Sequence, residues 1–558
     1  MKHFLLLMGV LMNTLCMAQP AWVNKAKKSV FSIVTYDQEN KIKNTGNGFF
    51  IDEEGTGVSD YTLFKGAQRA VIMDADGKQY PIVTILGAND TYDVVKFQVQ
   101  TDKKNAALTE AKSTPAKGAT LYLLPYATQK QGTLQSGTVE EVSEISGSHY
   151  YTLNMSTTDK MVSCPVTNAN GEVVGLLQAG GSEADKKSYV IGVSYVKGLA
   201  INAFSGKDYA LKSIGIRKGL PAEEDQALIY LYMNSSTQTP EEYLESLNYF
   251  LSKFPRSYEG YLRRASFYID NYKDNEHYVL AEADIQQAQN VADKKENALY
   301  SISKIYQAVA SSDFTYKDWN NEKALATIQQ AIALNPMPVY IQLEGDLYYS
   351  LQQYDKAFES YDKVNRSEMA SEMSLYSAAK AKEMMGDHEE AMALMDSTIN
   401  RFSRPLTVKA APYLYQRALM RADQKKYREA IADFNEYQKL VGSKATALFY
   451  FQREQVEMEC RMYQQALEDM EKAVELEPTA PLYLVELTSL YVRFNRLDDA
   501  ITLAKKGIEV APENADLYRM LGYCQLQKKQ KEEGKKNLLK AKELGDTHVD
   551  AILQKYAK

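Results

Sequence analysis

The sequence predicts a multidomain chain in which an all-β sandwich or barrel pair is followed by an all-α solenoid of repeated helix pairs. Three observations carry this reading. Between residues 29 and 199, short runs rich in β-branched and aromatic residues alternate with Gly, Asn and Asp turns. Beyond residue 223 the apolar spacing changes to the helical period. Within that second part, small residues return about every 34 positions. At 558 residues the chain is too long for one ordinary domain.

The chain opens MKHFLLLMGVLMNTLCMAQP. Lys2 and His3 precede an apolar run over residues 4–12, and Cys16-Met17-Ala18 precedes Gln19. This order predicts a secretory signal peptide over residues 1–18, cleaved after Ala18. The protein is therefore expected to be exported, to the periplasm first, with the cell surface or the medium as alternatives. The apolar run is short for a membrane span. A lipid anchor on Cys16 would want a small residue where Leu15 stands.

The β part contains SVFSIVTY, GNGFFID, RAVIMDADGKQYPIVTIL, DVVKFQV, ATLYLLPY, HYYTLNM, EVVGLLQAG and SYVIGVSYV. Asp76-Gly77 and Asn170-Gly171 are hairpin signals, because a tight hairpin turn needs residues that tolerate positive φ.

The order of these pieces carries a resemblance. Gly46-Asn47-Gly48-Phe49-Phe50-Ile51-Asp52 resembles the G-S-G-F-I-I-D motif of HtrA-like, trypsin-fold serine proteases. The later motifs of that family have counterparts in the same order. They are Val58-Ser59-Asp60-Tyr61-Thr62-Leu63 for the base segment and Asp76-Gly77-Lys78-Gln79-Tyr80-Pro81 for the hairpin. Thr91-Tyr92-Asp93-Val94-Val95-Lys96-Phe97 stands for the carboxylate strand. Met161-Val162-Ser163-Cys164-Pro165 stands for the nucleophile loop, and Asn168-Ala169-Asn170-Gly171-Glu172-Val173-Val174-Gly175 closes the set. The resemblance implies a trypsin-like double barrel over residues 29–204.

That family cleaves peptides with a hydroxyl nucleophile, an imidazole base and a carboxylate that orients the base. Carried over residue by residue, the base position falls on Thr62, the carboxylate on Asp93 and the nucleophile on Val162. Thr62 cannot take a proton near neutral pH, and Val162 has nothing to attack with. Ser163 and Cys164 replace the glycines of the family motif, which predicts an altered backbone at the oxyanion hole. The resemblance thus implies a pseudoprotease. The alternative is an atypical serine or cysteine endopeptidase using Ser163 or Cys164, for which His149 is the domain's sole imidazole.

Residues 205–222 are rich in Gly, Lys and Pro and lack long periodicity, so they read as a linker. The helical part then runs over 223–558, beginning with a degenerate helix pair. The small residues that open each second helix are Ala281, Ala324, Ala357, Ala391, Ala430, Ala466, Ala500 and Gly534, separated by 43, 33, 34, 39, 36, 34 and 34 residues. Another small or compatible residue often follows seven positions later, as at Ala288, Ala331, Ala473, Gly507 and Ala541. Pro336, Pro478 and Pro512 end second helices. The stretch APLYLVELTSLYVRFNRLDDAITLAKKGIEVAPEN, residues 480–514, is similar to one tetratricopeptide (TPR) repeat. About eight repeats and a closing helix over 547–558 are expected.

The resemblance implies a superhelix whose first helices line a groove for a protein or peptide partner. The positions expected to face it include Tyr349, Tyr376, Tyr415, Phe451, Gln455 and Tyr523. Such a lining is aromatic and polar, which suits a wet, adaptable surface. The Lys and Asn pattern that clamps a carboxylate in some TPR proteins does not occur at these positions.

Composition bounds the rest. The net charge of −7 offers no basic stripe, so nucleic acid is not an expected partner. The five histidines are scattered at 3, 149, 277, 388 and 548, and CxxC does not occur, so neither a metal nor a cofactor is expected. Cys164, Cys460 and Cys524 read as buried apolar thiols rather than a disulfide framework. The readings that remain are an exported non-catalytic scaffold, the atypical peptidase, and a structural subunit of an envelope assembly.

Overall fold

The computed structural model describes residues 20–124, 134–180, 184 and 186–556. The expected signal peptide and Cys16 lie outside the described residues. The chain forms two compact units, Met1–Ala292 and Asp293–Lys558.

The first unit begins with two closed six-stranded barrels. Strands β1 (Val30–Tyr36), β2 (Ile42–Phe50), β3 (Thr56–Ser59), β4 (Arg69–Met73), β5 (Gln79–Asn89) and β6 (Val94–Val99) build one. It closes in the order β1-β2-β3-β6-β5-β4. The other uses β7 (Thr120–Leu123), β8 (Gln135–Ile145), β9 (Ser148–Asn154), β10 (Pro165–Thr167), β11 (Val173–Leu177) and β12 (Lys187–Gly192), in the order β10-β11-β12-β9-β8-β7. Both predicted hairpin signals fall in turns with a glycine at positive φ, Gly77 between β4 and β5 and Gly171 between β10 and β11. Gly48 is required by packing: a Cβ there would sit 2.6 Å from both the Phe31 ring and the Val58 carbonyl oxygen. The fold is the trypsin-like double barrel that the motif order implied.

Three apolar clusters hold the barrels. Phe31, Phe50, Phe64, Ile85 and Phe97 fill the first, and Leu121, Leu153, Cys164, Val166 and Val190 fill the second. A third cluster lies between them, joining Val30, Phe49, Val58 and Val94 to Val173, Leu176 and Ile191. Burial of such side chains is worth about 1.5–3 kcal/mol each. The cleft between the barrels is therefore set by a packed interface rather than by a hinge.

Residues 205–222 read as a linker from composition, yet the chain here returns to the first barrel. Ile201, Ala210, Leu211, Ile214 and Ile216 join the cluster around Phe31 and Phe97. Gly215 donates to the Ala67 carbonyl at 2.7 Å and Ile85 donates to the Arg217 carbonyl at 2.8 Å. Helices Glu224–Asn234, Pro240–Lys253, Tyr258–Asn271 and Asn275–Val291 complete the unit.

The second unit is a run of helix pairs. They are Lys295–Ala310 with Asn321–Leu334, Pro338–Ser350 with Tyr354–Asn365, and Glu372–Met384 with His388–Asn400. Next come Ala411–Asp423 with Tyr427–Val441, Ala447–Glu459 with Tyr463–Leu476, Pro481–Arg493 with Leu497–Val510, and Ala515–Gln527 with Lys531–Glu543. A final helix covers Val549–Tyr556. Seven of the eight predicted small residues stand in the first turn of a second helix of this unit, while Ala281 lies further along Asn275–Val291 in the first unit; Ala324, Ala357, Ala391, Ala430, Ala466 and Ala500 are fully buried. A larger side chain there would push the paired helices apart.

The turn has one construction in six of these seven pairs, the exception being the longer connection between Lys295–Ala310 and Asn321–Leu334. Gln352, Gly386, Lys425, Arg461, Asn495 and Lys529 all adopt φ between +57° and +81°. The next amide donates five residues back, as from Arg496 to Tyr491 and from Met462 to Glu457, both at 2.8 Å. This satisfies the last helical carbonyls and reverses the chain. Two pairs also share an ion pair at identical spacing. Arg417 grips Asp433 through Nε and Nη2 at 2.9 and 2.7 Å, and Arg453 grips Asp469 at 2.6 and 2.8 Å. Such bidentate pairs fix first helix against second with geometric specificity.

Candidate functional site

In the fold of a trypsin-like protease the catalytic groups meet in the cleft between the barrels. The base position, Thr62, lies on the single-turn helix Tyr61–Phe64 after β3. Asp93 sits in the β5–β6 turn at φ +50° and accepts from the Thr62 amide at 2.7 Å. The base and carboxylate positions are thus in contact, but through the backbone of residue 62. Val162 follows the short helix Asp159–Met161, with φ −53° and ψ 139°.

The glycine replacement has a clear result. Ser163 takes a left-handed conformation, φ +66°, which favours glycine, so the turn is kept at some backbone strain. Ser163 is fully buried. Its amide donates to the Leu177 carbonyl at 2.8 Å, and Oγ donates to Asp60 Oδ1 at 2.6 Å. Cys164 is also fully buried, and burial pushes its thiol far above the ordinary range.

Asp60 is the residue of this cleft that sequence reasoning missed. It caps the helix Tyr61–Phe64 by accepting from the Leu63 amide at 3.0 Å through Oδ2, and it holds Ser163 with the other oxygen. Burial pushes its carboxyl up. The Ser163 bond opposes this shift, and the nearby Asp93 charge adds to it. Asn47 makes a second tie across the cleft. Its Nδ2 donates to the Lys160 and Val162 carbonyls, both at 3.0 Å, while Ser59 Oγ donates to the Asn47 carbonyl at 2.6 Å. The available signal was an Asp two residues before the base position, with the spacing of a helix cap.

His149 lies half-buried on β9, opposite Glu144 of β8, with its ring 6.2 Å from that of Tyr151. Among the described residues no His, Cys, Asp and Glu cluster could hold a metal ion. No helix among them is long and apolar enough to cross a membrane.

The positions expected to line a groove all fall on first helices of the second unit. Tyr349 packs on Tyr354 at 5.3 Å, and Tyr376 packs on Tyr413 at 5.4 Å. The exposed Lys380 lies over both, 4.9 Å from the Tyr349 ring and 5.7 Å from the Tyr376 ring. Tyr415 is bound into a cluster with Phe434, Tyr437 and Phe449 and donates to Gln452. Phe451 packs on Tyr483 and Tyr523 on Tyr556. Each ring keeps a partly exposed face, and Gln455 is exposed. These aromatics serve packing as well as surface.

Fold and site together define a trypsin-like peptidase domain joined to TPR helix pairs. The trypsin-like peptidase domain family matches residues 46–176, and a tetratricopeptide repeat family matches residues 485–534. Sperm-associated antigen 1 of Mus musculus is 33% identical over 88 residues, 16% of this chain and 9% of that protein. Anti-sigma-I factor RsgI9 of Acetivibrio thermocellus is 27% identical over 173 residues, 30% of this chain and 24% of that protein. The chain therefore spans less than a quarter of the length of either relative.

Proposed function

We propose that this protein is an exported, non-catalytic scaffold. Its TPR helix pairs hold a protein or peptide partner, and its trypsin-like domain adds a contact surface instead of a hydrolytic centre. The observation that carries the non-catalytic reading is the state of Ser163. The hydroxyl nearest the nucleophile position is buried and donates its proton to Asp60, while Thr62 and Val162 supply neither base nor nucleophile. Losing two members of a triad leaves only weak residual effects of binding and polarisation. Export rests on the signal-peptide pattern of residues 1–18. Protein binding rests on the TPR pairs and their mixed aromatic and polar first helices.

The test uses the mature full-length chain as bait in an extract of the envelope. A parallel bait carries Lys380→Glu and Gln455→Arg, two exposed changes that leave the ring-on-ring contacts of the tyrosines and Phe451 in place. One protein held by the first bait and lost from the second supports the groove reading. The same set on both baits, or nothing on either, defeats it. Purified protein should also leave an unfolded substrate uncut and resist serine- and cysteine-directed covalent probes. Labelling at Ser163 or Cys164 would establish the peptidase reading instead.

A further inference from the structure

A cavity of about 530 Å³ lies within the first unit, between the returning segment after the barrels and helices Glu224–Asn234 and Pro240–Lys253. Its volume is in the range of small-ligand sites, which run from about 300 to 1,000 Å³. One wall is cationic. Ile85 donates to the Arg217 carbonyl and Gly219 donates to the Ile85 carbonyl, both at 2.8 Å, so the backbone carrying Arg217 and Lys218 is fixed to β5. The Arg217 guanidinium stacks 4.2 Å above the Tyr249 ring and donates to Thr84 Oγ1 at 3.2 Å. Lys218 is partly buried and donates to the Ile214 carbonyl. Burial pushes its ammonium down to about 8, with no carboxylate acting against it. Among the described residues neither cation forms a salt bridge; Arg217 is exposed, whereas the partly buried Lys218 is a desolvated charge without an anion, a costly arrangement.

The facing wall supplies an acceptor. Gln238 Nε2 donates to Ser246 Oγ at 3.0 Å, which sets the amide so that Oε1 turns the other way. That oxygen is buried and has no hydrogen-bond partner among the described residues. Buried polar atoms of this kind normally meet a donor. Glu242 and Glu245 also line this side, so polyanions are disfavoured by repulsion. Glu242 is committed to the Thr239 amide at 2.9 Å.

The ligand that satisfies these groups carries one negative charge and an N–H donor. We propose that this cavity binds the free carboxyl end of a short peptide, with the carboxylate at Lys218 and Arg217 and a backbone N–H at Gln238 Oε1. All the residues lining the site belong to the first unit and lie outside the barrel cleft, and the proposal does not depend on the scaffold reading.

The test is calorimetric titration of the mature full-length protein with N-acetyl-Ala-Leu-Ala as the free acid and as the C-terminal amide. The acid should bind at least about tenfold more tightly, as expected for loss of one charge-assisted contact. Lys218→Met should weaken the acid about tenfold without lowering the melting temperature. Lys218→Arg should restore most of the affinity, and Gln238→Leu should weaken both forms. Equal binding of acid and amide, no binding of either at about 10 mM, or full affinity in Lys218→Met would overturn the proposal. Displacement of the acid by an equal concentration of inorganic phosphate would overturn it in favour of a general anion site.

Discussion

Ser163 Oγ and Asp60 Oδ1 lie 2.6 Å apart, joining the second barrel to the first at the place where a trypsin-like protease would hold its reacting groups. The bond closes a contact between residues 103 positions apart in sequence. It turns the one hydroxyl of the loop into a structural tie.

The first prediction concerns that tie. Ser163→Ala should destabilise the barrels by about 1–3 kcal/mol, the range for a buried hydrogen bond to a charged group. Asp60→Ala should cost about 2–4 kcal/mol, since it also removes a helix cap. The double variant should cost less than the sum, because both changes remove one interaction. Urea unfolding of the barrel transition measures all three.

A second prediction tests what the cleft lacks. Asp93 already touches residue 62 through its backbone, which leaves the other carboxylate oxygen for a ring at that position. Thr62→His combined with Val162→Ser should gain at least about tenfold in labelling by a fluorophosphonate over the parent chain. Either change alone should gain nothing. Mass spectrometry should place the label on residue 162.

The third prediction follows from two buried carboxyls. Glu454 is fully buried and Glu457 nearly so, on the helix Ala447–Glu459. Burial pushes them up to about 7 and about 8. Glu486, Arg493 and Asp469 face the former, with Gln455 as its hydrogen-bond partner. Asp469, Arg453, Glu454 and Glu468 face the latter. Each carboxyl holds its proton more tightly folded than unfolded, so stability is full below about 4.5, the unfolded value, and falls as pH rises toward 8. Glu457→Gln should raise the thermal midpoint of the repeats at pH 8 and leave it unchanged near pH 4. An equal effect at both pH values would contradict this.

Fourth, the helix-pair turns leave room for improvement. Lys425, Arg461 and Lys529 occupy a left-handed position that suits glycine better. Arg461→Gly or Lys529→Gly should stabilise the repeats by about 0.5–1 kcal/mol, the left-handed penalty less the extra entropy that glycine loses on folding, read as an upward shift in the thermal midpoint. A fall in midpoint would show that the side chain, not the backbone, governs the turn.

Most of the repeat architecture was legible because its signals are local and recur. Ala466, Ala500 and Gly534 announce close helix contact at a constant period, and the exit prolines mark the ends. The barrels were legible through the order of short motifs from Gly46 to Gly175. The turns at Lys425 and Arg461 were not, since nothing about a charged side chain signals positive φ. Nor was the pairing of Asp60 with Ser163, which depends on two barrels meeting. The stretch 205–222 reads as a linker because Leu211, Ile214 and Ile216 follow neither a helical nor a strand period. What places them is the barrel surface they cover.

That returning stretch has a consequence for how the chain comes off the ribosome. The second barrel is built from a contiguous run, β7 to β12, and has all its strands once residue 192 has emerged. The first barrel, although made earlier, lacks Ile201, Leu211, Ile214 and Ile216 from its core until 24 more residues have followed. The older half of the β domain is thus the later one to be completed. Any nascent chain stalled before residue 216 leaves the surface around Phe31 and Phe97 open, in the state in which partly made proteins are most prone to aggregate.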